Sequence, residues 1–450
     1  MNIKQKNILV IGSARSGLGV AKLAKQMKAN VCVYDQKNFE NLAEETRNYI
    51  TELKQEKIDF VLGDEINLDD FDMLIVSPGV PLDIALISEA RSRGKEIVGE
   101  FEFASRYCKA PIVAITGTNG KTTTTMLVGE IIGNYNPETY IVGNIGRAFS
   151  EDVLDIPENG VVVAEVSSFQ LETVKTFHAK VGALLNITPD HLNRHKTMEN
   201  YCEAKYKVFE NQETEEYAIL NANDAYYEEA KRHVSSQIVT FDSQKIAEKG
   251  AYIKDGALYE NINGVENYIC AADEIRVFNE NALAAIAITT CFGIPRELIT
   301  KTLIGFKGVE HRIEYVCTKK GIDIYNDSKA TNTDAAIKGI ITMKKPIRLL
   351  AGGMDKNISF KEWVKLFDGK VVKAYVIGET KEQIIREAKE EGYTNIACYD
   401  NFEAAILAAY AEGHDGECML LSPACASWDM FESYEQRGDI FKNIVYSLEG

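Results

Sequence analysis

Short apolar runs punctuate the chain, each closed by a glycine or polar turn and followed by a segment with helical spacing of its apolar positions. Over the first hundred residues, NILVIG (7–12), VCVYD (31–35), DMLIVSPG (72–79) and KEIVGE (95–100) predict strands. GLGVAKLAKQMK (17–28) and DIALISEARSRG (83–94) predict the helices between them. A second series begins at PIVAITG (111–117) and enters a helix at Lys121. It runs through GVVVAEVSS (160–168), KVGALLNIT (180–188), YAILNAND (217–224) and SQIVTFD (236–242) to the apolar helix NENALAAIAITTCFG (279–293). A third joins IDIYND (322–327), IRLLAGG (347–353), KAYVIG (373–378) and ECMLLSP (417–423) to helices near 380–391 and 402–411. Such alternation predicts parallel sheets with helices on both faces. The fold class is therefore α/β, as three consecutive α/β domains at 1–106, 107–306 and 307–450. The first and last are Rossmann-like and the central one is of P-loop ATPase type.

Composition narrows the class. With 450 residues, 45% hydrophobic and 26% charged, the chain is an ordinary globular one. Its net charge of −17 argues against nucleic acid or an anionic membrane as partner, since both need basic stripes. No run approaches the roughly 20 apolar residues of a membrane span. The N-terminus enters a strand directly without a signal-peptide core, so no membrane insertion and a cytoplasmic location are expected. Nine cysteines with no C-x-x-C pair read as buried free thiols.

Several turns carry candidate chemistry. GSARSG (12–17) follows a strand and opens a helix, with Asp35 ending the next strand. Ala14 replaces the middle glycine of a dinucleotide fingerprint, which points to a nucleotide or sugar-nucleotide site and away from NAD. AITGTNGKTTTT (114–125) places Gly-Lys-Thr between a strand and a helix, but Gly117 stands two residues closer than the standard phosphate loop requires. Its backbone N–H groups and the helix N-terminus suit phosphates, Lys121 supplies a point charge, and Thr122 or Thr123 can ligate Mg²⁺. The four threonines are a poor helix start unless hydroxyls are used. Glu165, ending VVVAE, stands where a metal-holding carboxylate is wanted. In NITPDHLNRH (186–195), His191 reads as a metal ligand or donor beside the phosphates, and His195 as solvated; a third ligand for zinc is lacking. In the last domain, loops 326–332, 352–356 and 422–428 gather lysines and hydroxyls at strand ends, which suits a carboxylate-bearing substrate or part of the nucleotide. Cys425 has no adjacent histidine and reads as a packed thiol.

TGTNGKTT (116–123), EVSSFQLE (165–172), NITPDHLNRH (186–195), HRIE (311–314), NDSKATN (326–332) and SPACASWDMFESYEQRG (422–438) together resemble the Mur ligases of bacterial peptidoglycan synthesis, in order and over nearly the whole chain. The resemblance implies ATP-dependent amide-bond formation by a monomer. The first domain would bind a UDP-sugar, the second ATP and the third an amino acid. The last three motifs imply D-glutamate as the amino acid and UDP-N-acetylmuramoyl-L-alanine as the acceptor. It further implies ATP contacts at Gly117, Thr118, Asn119, Gly120, Lys121, Thr122, Thr123, Asn281, Arg312 and Asp327. The UDP-sugar would meet Ser13, Arg15, Ser16, Asp35, Ser77, Pro78, Gly79, Asn144 and Ser167. D-Glutamate would meet Lys329, Thr331, Lys356, Ser427, Trp428 and Tyr434. Thr122 and Glu165 would hold one Mg²⁺; His191 and Lys205 would hold a second. Lys205, in EAKYKVF, matches a lysine that is carbamylated by CO₂ in that family; position alone marks it as an ordinary solvated helix lysine. Lys121, Glu165, His191 and Lys205 are the expected catalytic set. The chain departs from the family pattern at FNEN (278–281), at GSARSG, and at Trp428, where a leucine is usual and a bulkier pocket wall is expected. A motor-type NTPase would turn over ATP without other substrates. An NAD-dependent oxidoreductase would rest on GSARSG and Asp35, and leaves TGTNGKT unexplained.

Overall fold

The computed structural model describes residues 3–42, 44–355 and 358–449. Two compact units divide the chain, 1–306 and 307–450, and the first contains two sheets.

The N-terminal sheet has five parallel strands in the order Asp59–Leu62, Asn30–Asp35, Asn7–Ile11, Met73–Val76, Glu96–Gly99. Strand Asn7–Ile11 pairs with Asn30–Tyr34 on one side and Met73–Val76 on the other. The strand order reverses there, so the turns at Gly12 and Ser77 open a crevice at the carboxyl edge, where such sheets bind ligands. Helix Arg15–Gln26 starts earlier than its apolar pattern predicts. Gly17 is required, because a Cβ there would sit 1.9 Å from the Gly12 carbonyl oxygen. Strand Asp59–Leu62, announced only by the short run Phe60-Val61-Leu62, is a half-buried edge strand.

The central sheet orders nine strands as Asn267–Ala271, Ala257–Glu260, Gly250–Lys254, Gln237–Asp242, Tyr217–Asn221, Val181–Leu184, Ile112–Thr116, Val161–Glu165, Thr139–Gly143. Seven are parallel, but the Ala257–Glu260 and Asn267–Ala271 pairings are antiparallel. This edge, where no strand was expected from the sequence, turns antiparallel because Asp255 and Gly256 both take positive φ (+52° and +77°), the geometry of a tight hairpin. Register decides the site: Ile115 faces Glu165 and Thr116 faces Leu184. Gly117, Glu165 and the 185–188 segment therefore leave the sheet side by side.

Unit 307–450 carries six strands in the order Glu314–Lys319, Ile322–Asn326, Cys418–Leu421, Ile347–Gly352, Val371–Ile377, Ile396–Cys398, parallel except for the first pair. Asn326 and Leu350 both pair with Leu421, which brings the loops after 326, 352 and 421 to one edge. No helix among the described residues is long and apolar enough to cross a membrane.

Candidate active site

The loop after strand Ile112–Thr116 is shaped by two glycines with positive φ, Gly117 at +151° and Gly120 at +84°. Gly120 caps helix Lys121–Gly133, whose first-turn N–H groups have no intrahelical acceptors. A Cβ on Gly120 would meet Asn281 Oδ1 at 2.5 Å, so Asn281 packs directly against the loop. Asn186 brackets it from the other side. Its carbonyl accepts from Thr118 N at 2.9 Å, its Oδ1 from Asn119 N at 2.8 Å, and its Nδ2 donates to Asn119 O at 3.0 Å. Thr118 Oγ1 bonds Tyr201 Oη at 3.0 Å and Thr188 O at 3.1 Å. Thr122 and Thr123 lie at the helix start, whereas Thr124 and Thr125 turn into the core with hydroxyls that lack a protein partner.

Two lysines converge on this loop. Lys121 Nζ donates to the carbonyls of Gly117 and Thr118, each at 2.8 Å. Lys205 Nζ donates to the same Gly117 carbonyl at 2.7 Å and lies 4.6 Å from the Tyr201 ring centroid. Lys205 is 1% exposed, so the expectation of a solvated lysine is overturned by its helix turning inward. Burial, reinforced by the charge on Lys121, holds its pKa well below the usual lysine range. Burial thus favours its neutral amine over the ammonium.

Glu165 is buried; Oε1 accepts from Asn144 Nδ2 at 2.8 Å and Oε2 has no protein partner. A buried carboxylate oxygen with an open lone pair, beside threonine hydroxyls at a phosphate loop, is a donor set that fits Mg²⁺. His191 stands at the start of the single-turn helix Leu192–His195 with φ +54°, its side chain 44% exposed and Nε2 3.6 Å from Asp190 Oδ2. His195 is not solvated as expected: it is buried, bonded to Ser168 Oγ at 2.9 Å and 3.3 Å from Glu172. Burial lowers its pKa, and both ring nitrogens of His195 are engaged, by Ser168 and Glu172, so it does not pair with His191 on a zinc.

A cleft of ≈ 260 Å³ gathers Arg15, Ser16, Pro78, Asn144 and Gln170 from both sheets of the first unit. Ser167 closes a capping box with Gln170 at its edge. Arg15 also pairs with Glu151 at 3.2 Å. Ser13 and Asp35 are occupied with each other: Asp35 Oδ2 accepts from Ser13 N at 2.9 Å and Oγ at 2.7 Å. Burial would raise the Asp35 pKa, but these bonds and one from Lys37 N outweigh it and hold the carboxyl below its ordinary value. Ser77 Oγ donates to the Gly12 carbonyl at 3.3 Å, and Gly79 is exposed.

In unit 307–450, Asp327 is fully buried, accepting from Ser422 Oγ at 2.8 Å with Arg312 3.8 Å away. Burial pushes its pKa up to about 6 despite Arg312 and Ser422. A carboxyl whose folded pKa exceeds its unfolded value is most favourable protonated. The wild type is therefore expected to lose stability relative to Asp327→Asn as pH rises from about 4 to about 6, and to stay level above that. Melting temperatures of the two proteins across this window check it; a constant difference would contradict the assignment.

Lys329 Nζ lies 5.0 Å from the Tyr434 ring centroid, Thr331 N donates to Lys329 O, and Ser427 Oγ is buried without a protein partner. Trp428 is 67% exposed. Lys356 lies outside the described residues. The thiol expectation also needs correction: all nine cysteines are free and Cys425 is packed, but Cys398 is exposed and Cys108, Cys291 and Cys317 are half-buried.

Sequence reasoning gave no role to Arg437, although it stands in the quoted EQRG. It is fully buried and donates from Nε to Ser328 Oγ, from Nη2 to the Ser328 and Cys425 carbonyls, and from Nη1 to the Cys425 and Ala426 carbonyls, at 2.7–3.4 Å. It thus joins the 326–332 and 422–428 loops. The only sequence signal was the adjacent Gly438, where a Cβ would strike His311 Nδ1. Arg437→Met, which strands several buried carbonyls, is expected to destabilise the unit by about 3–5 kcal/mol. Urea unfolding of both proteins measures it; a loss under about 1 kcal/mol would remove Arg437 as the loop clamp.

Known proteins resemble the chain along its whole length. Residues 6–99 match the MurD-like N-terminal domain of Mur ligases, 115–289 the Mur ligase middle domain, and 311–425 the Mur ligase glutamate ligase domain. The UDP-N-acetylmuramoylalanine–D-glutamate ligases of Thermoanaerobacter sp. (strain X514) and Alkaliphilus oremlandii (strain OhILAs) are 44% and 45% identical, with all of both chains covered. Among solved structures, the UDP-N-acetylmuramate–alanine ligase of Thermotoga maritima is similar in fold (TM-score 0.61, 19% identity, 98% of this chain and 100% of that one). So is the MurF ligase of Thermotoga maritima in complex with ADP (TM-score 0.60, 14% identity, 99% and 98%). With three family domains in order and full-length relatives above 40% identity, the chain belongs to the Mur ligase family.

Proposed function

We propose that the chain is an ATP-dependent ligase that joins D-glutamate to UDP-N-acetylmuramoyl-L-alanine in cytoplasmic peptidoglycan precursor synthesis, acting as a monomer. The observation that carries this reading is the full-length likeness to D-glutamate ligases. The converging Lys121, Lys205 and Glu165 at the phosphate loop support it. Domain 1–106 holds the UDP-sugar, 107–306 holds ATP, and 307–450 holds D-glutamate.

The acceptor carboxylate attacks the γ-phosphorus of ATP, giving an acyl phosphate and ADP. An amine cannot displace oxide from a carboxylate at neutral pH, and phosphate is the leaving group that ATP supplies. The loop N–H groups and Lys121 hold the phosphates in line and offset their charge, since phosphoryl transfer is mainly positioning and electrostatics. The D-glutamate amine then attacks the acyl carbon and the tetrahedral adduct collapses with loss of phosphate. Thr122 and Glu165 would hold one Mg²⁺, and His191 with Lys205 a second. When bound, Mg²⁺ neutralises charge on the transferring oxygens.

Lys205 would reach a metal as a carbamate. The neutral amine attacks CO₂, a proton leaves, and a carboxylate stands where an ammonium would be. The buried, low-pKa amine at the Gly117 carbonyl supports this step.

Phosphate release from ATP with UDP-N-acetylmuramoyl-L-alanine and D-glutamate, L-glutamate or L-lysine tests the proposal. Turnover is expected with D-glutamate alone. Equal turnover with no amino acid and no UDP-sugar would replace the ligase by a simple NTPase.

A further inference from the structure

Arg194 takes no part in the chemistry above, yet it joins the two sides of the site. It lies in the one-turn helix Leu192–His195, and its side chain spans to the N-terminal sheet. Nη1 donates to the Pro78 carbonyl at 2.7 Å and Nη2 to Glu172 Oε2 at 2.7 Å. The guanidinium carbon lies 4.1 Å from the Phe169 ring centroid, and the side chain is 13% exposed. Pro78 lines the ≈ 260 Å³ cleft with Arg15, Ser16 and Asn144. At the other end, the Phe169 ring also meets His191 at 4.9 Å and His195 at 5.5 Å. The Arg194 and His195 N–H groups both donate to the His191 carbonyl at 3.0 Å, and Glu172 also approaches His195 Nδ1.

A surface arginine paired with one carboxylate contributes little. This fork is split between a main-chain carbonyl of one sheet's loop and a carboxylate of the other, with its face on an aromatic ring. Arg194 thus links the 77–79 loop to the turn that holds His191 in its left-handed conformation.

We infer that Arg194 is a positioning residue that couples occupancy of the sugar cleft to the placement of His191, so that UDP-sugar and magnesium nucleotide bind with positive cooperativity. The inference rests on the reading of the cleft and of His191 given above. The first ligand orders the clamp, the second meets it already ordered, and the effect is reciprocal.

Calorimetric titration of UDP-N-acetylmuramoyl-L-alanine, with and without Mg²⁺ and a non-hydrolysable ATP analogue, reads the coupling. In the wild type the nucleotide is expected to tighten sugar binding by about 5-fold or more. Arg194→Met should leave each ligand's separate affinity within about 3-fold and bring the enhancement close to 1. Arg194→Lys, a point donor that cannot serve both acceptors, should restore only part of it. Phe169→Leu removes the ring between Arg194 and His191 without touching either hydrogen bond, and should also lose the enhancement. Full enhancement in Arg194→Met, or its retention in Phe169→Leu while Arg194→Met merely loses stability, overturns the inference. Wild-type protein that binds both ligands independently overturns it alone. Wild-type protein that binds no UDP-sugar overturns the cleft reading together with it.

Discussion

Lys121→Ala is expected to lower kcat by about 10²-fold or more, the loss seen when one preorganised charge-stabilising donor is removed from a reaction centre. The side chain donates to the Gly117 and Thr118 carbonyls of its own loop, and Lys121→Ala removes the charge at the phosphates; a melting temperature near that of the wild type shows that the fold is kept. A second consequence follows from the neighbouring lysine. The Lys121 charge helps to depress the Lys205 pKa, so in Lys121→Ala the Lys205 amine should titrate at higher pH. Single-turnover phosphate formation separates the chemical loss from any change in ATP binding. Near-native turnover in Lys121→Ala would sink the assignment.

Lys205→Ala is expected to be as damaging, about 10²-fold or more in kcat, with partial recovery when formate or acetate is added. A small carboxylate can enter the space left by the side chain and supply the anion that the carbamate would provide. For the wild-type protein, buffer stripped of CO₂ should lower activity and bicarbonate should restore it. Lys205→Met, which fills the volume without an amine, separates packing from chemistry. If stripping CO₂ changes nothing and added carboxylates rescue nothing, Lys205 is a loop strut that holds the Gly117 carbonyl, and the carbamate drops out.

The parts of the fold that were legible are those where one residue's local character decides the outcome. The strand–turn–helix at AITGTNGKTTTT is readable because a buried apolar run, two glycines able to take positive φ and a helix start are all local properties. The paired loops of the C-terminal unit were legible for the same reason, as polar clusters that follow apolar strands. Strand Asp59–Leu62 was missed because its apolar run, Phe60-Val61-Leu62, is only three residues long, as a half-buried edge strand allows. The antiparallel edge at 250–271 was missed because no strand was read between 242 and 279, although Asp255-Gly256 marks a turn there.

The α/β class, the phosphate loop, the carboxylate at the end of VVVAE and the resemblance that ties them to ligation could all be read from the order of residues. These depend on spacing along the chain. Packing alone buries Lys205 against the Gly117 carbonyl, bonds His195 to Ser168, makes Arg437 the clamp of two loops and stretches Arg194 between two sheets. Each joins residues far apart in sequence. Burial and hydrogen-bond partners belong to the packed surroundings, and a lysine, histidine or arginine has the same local character in solvent as in a core.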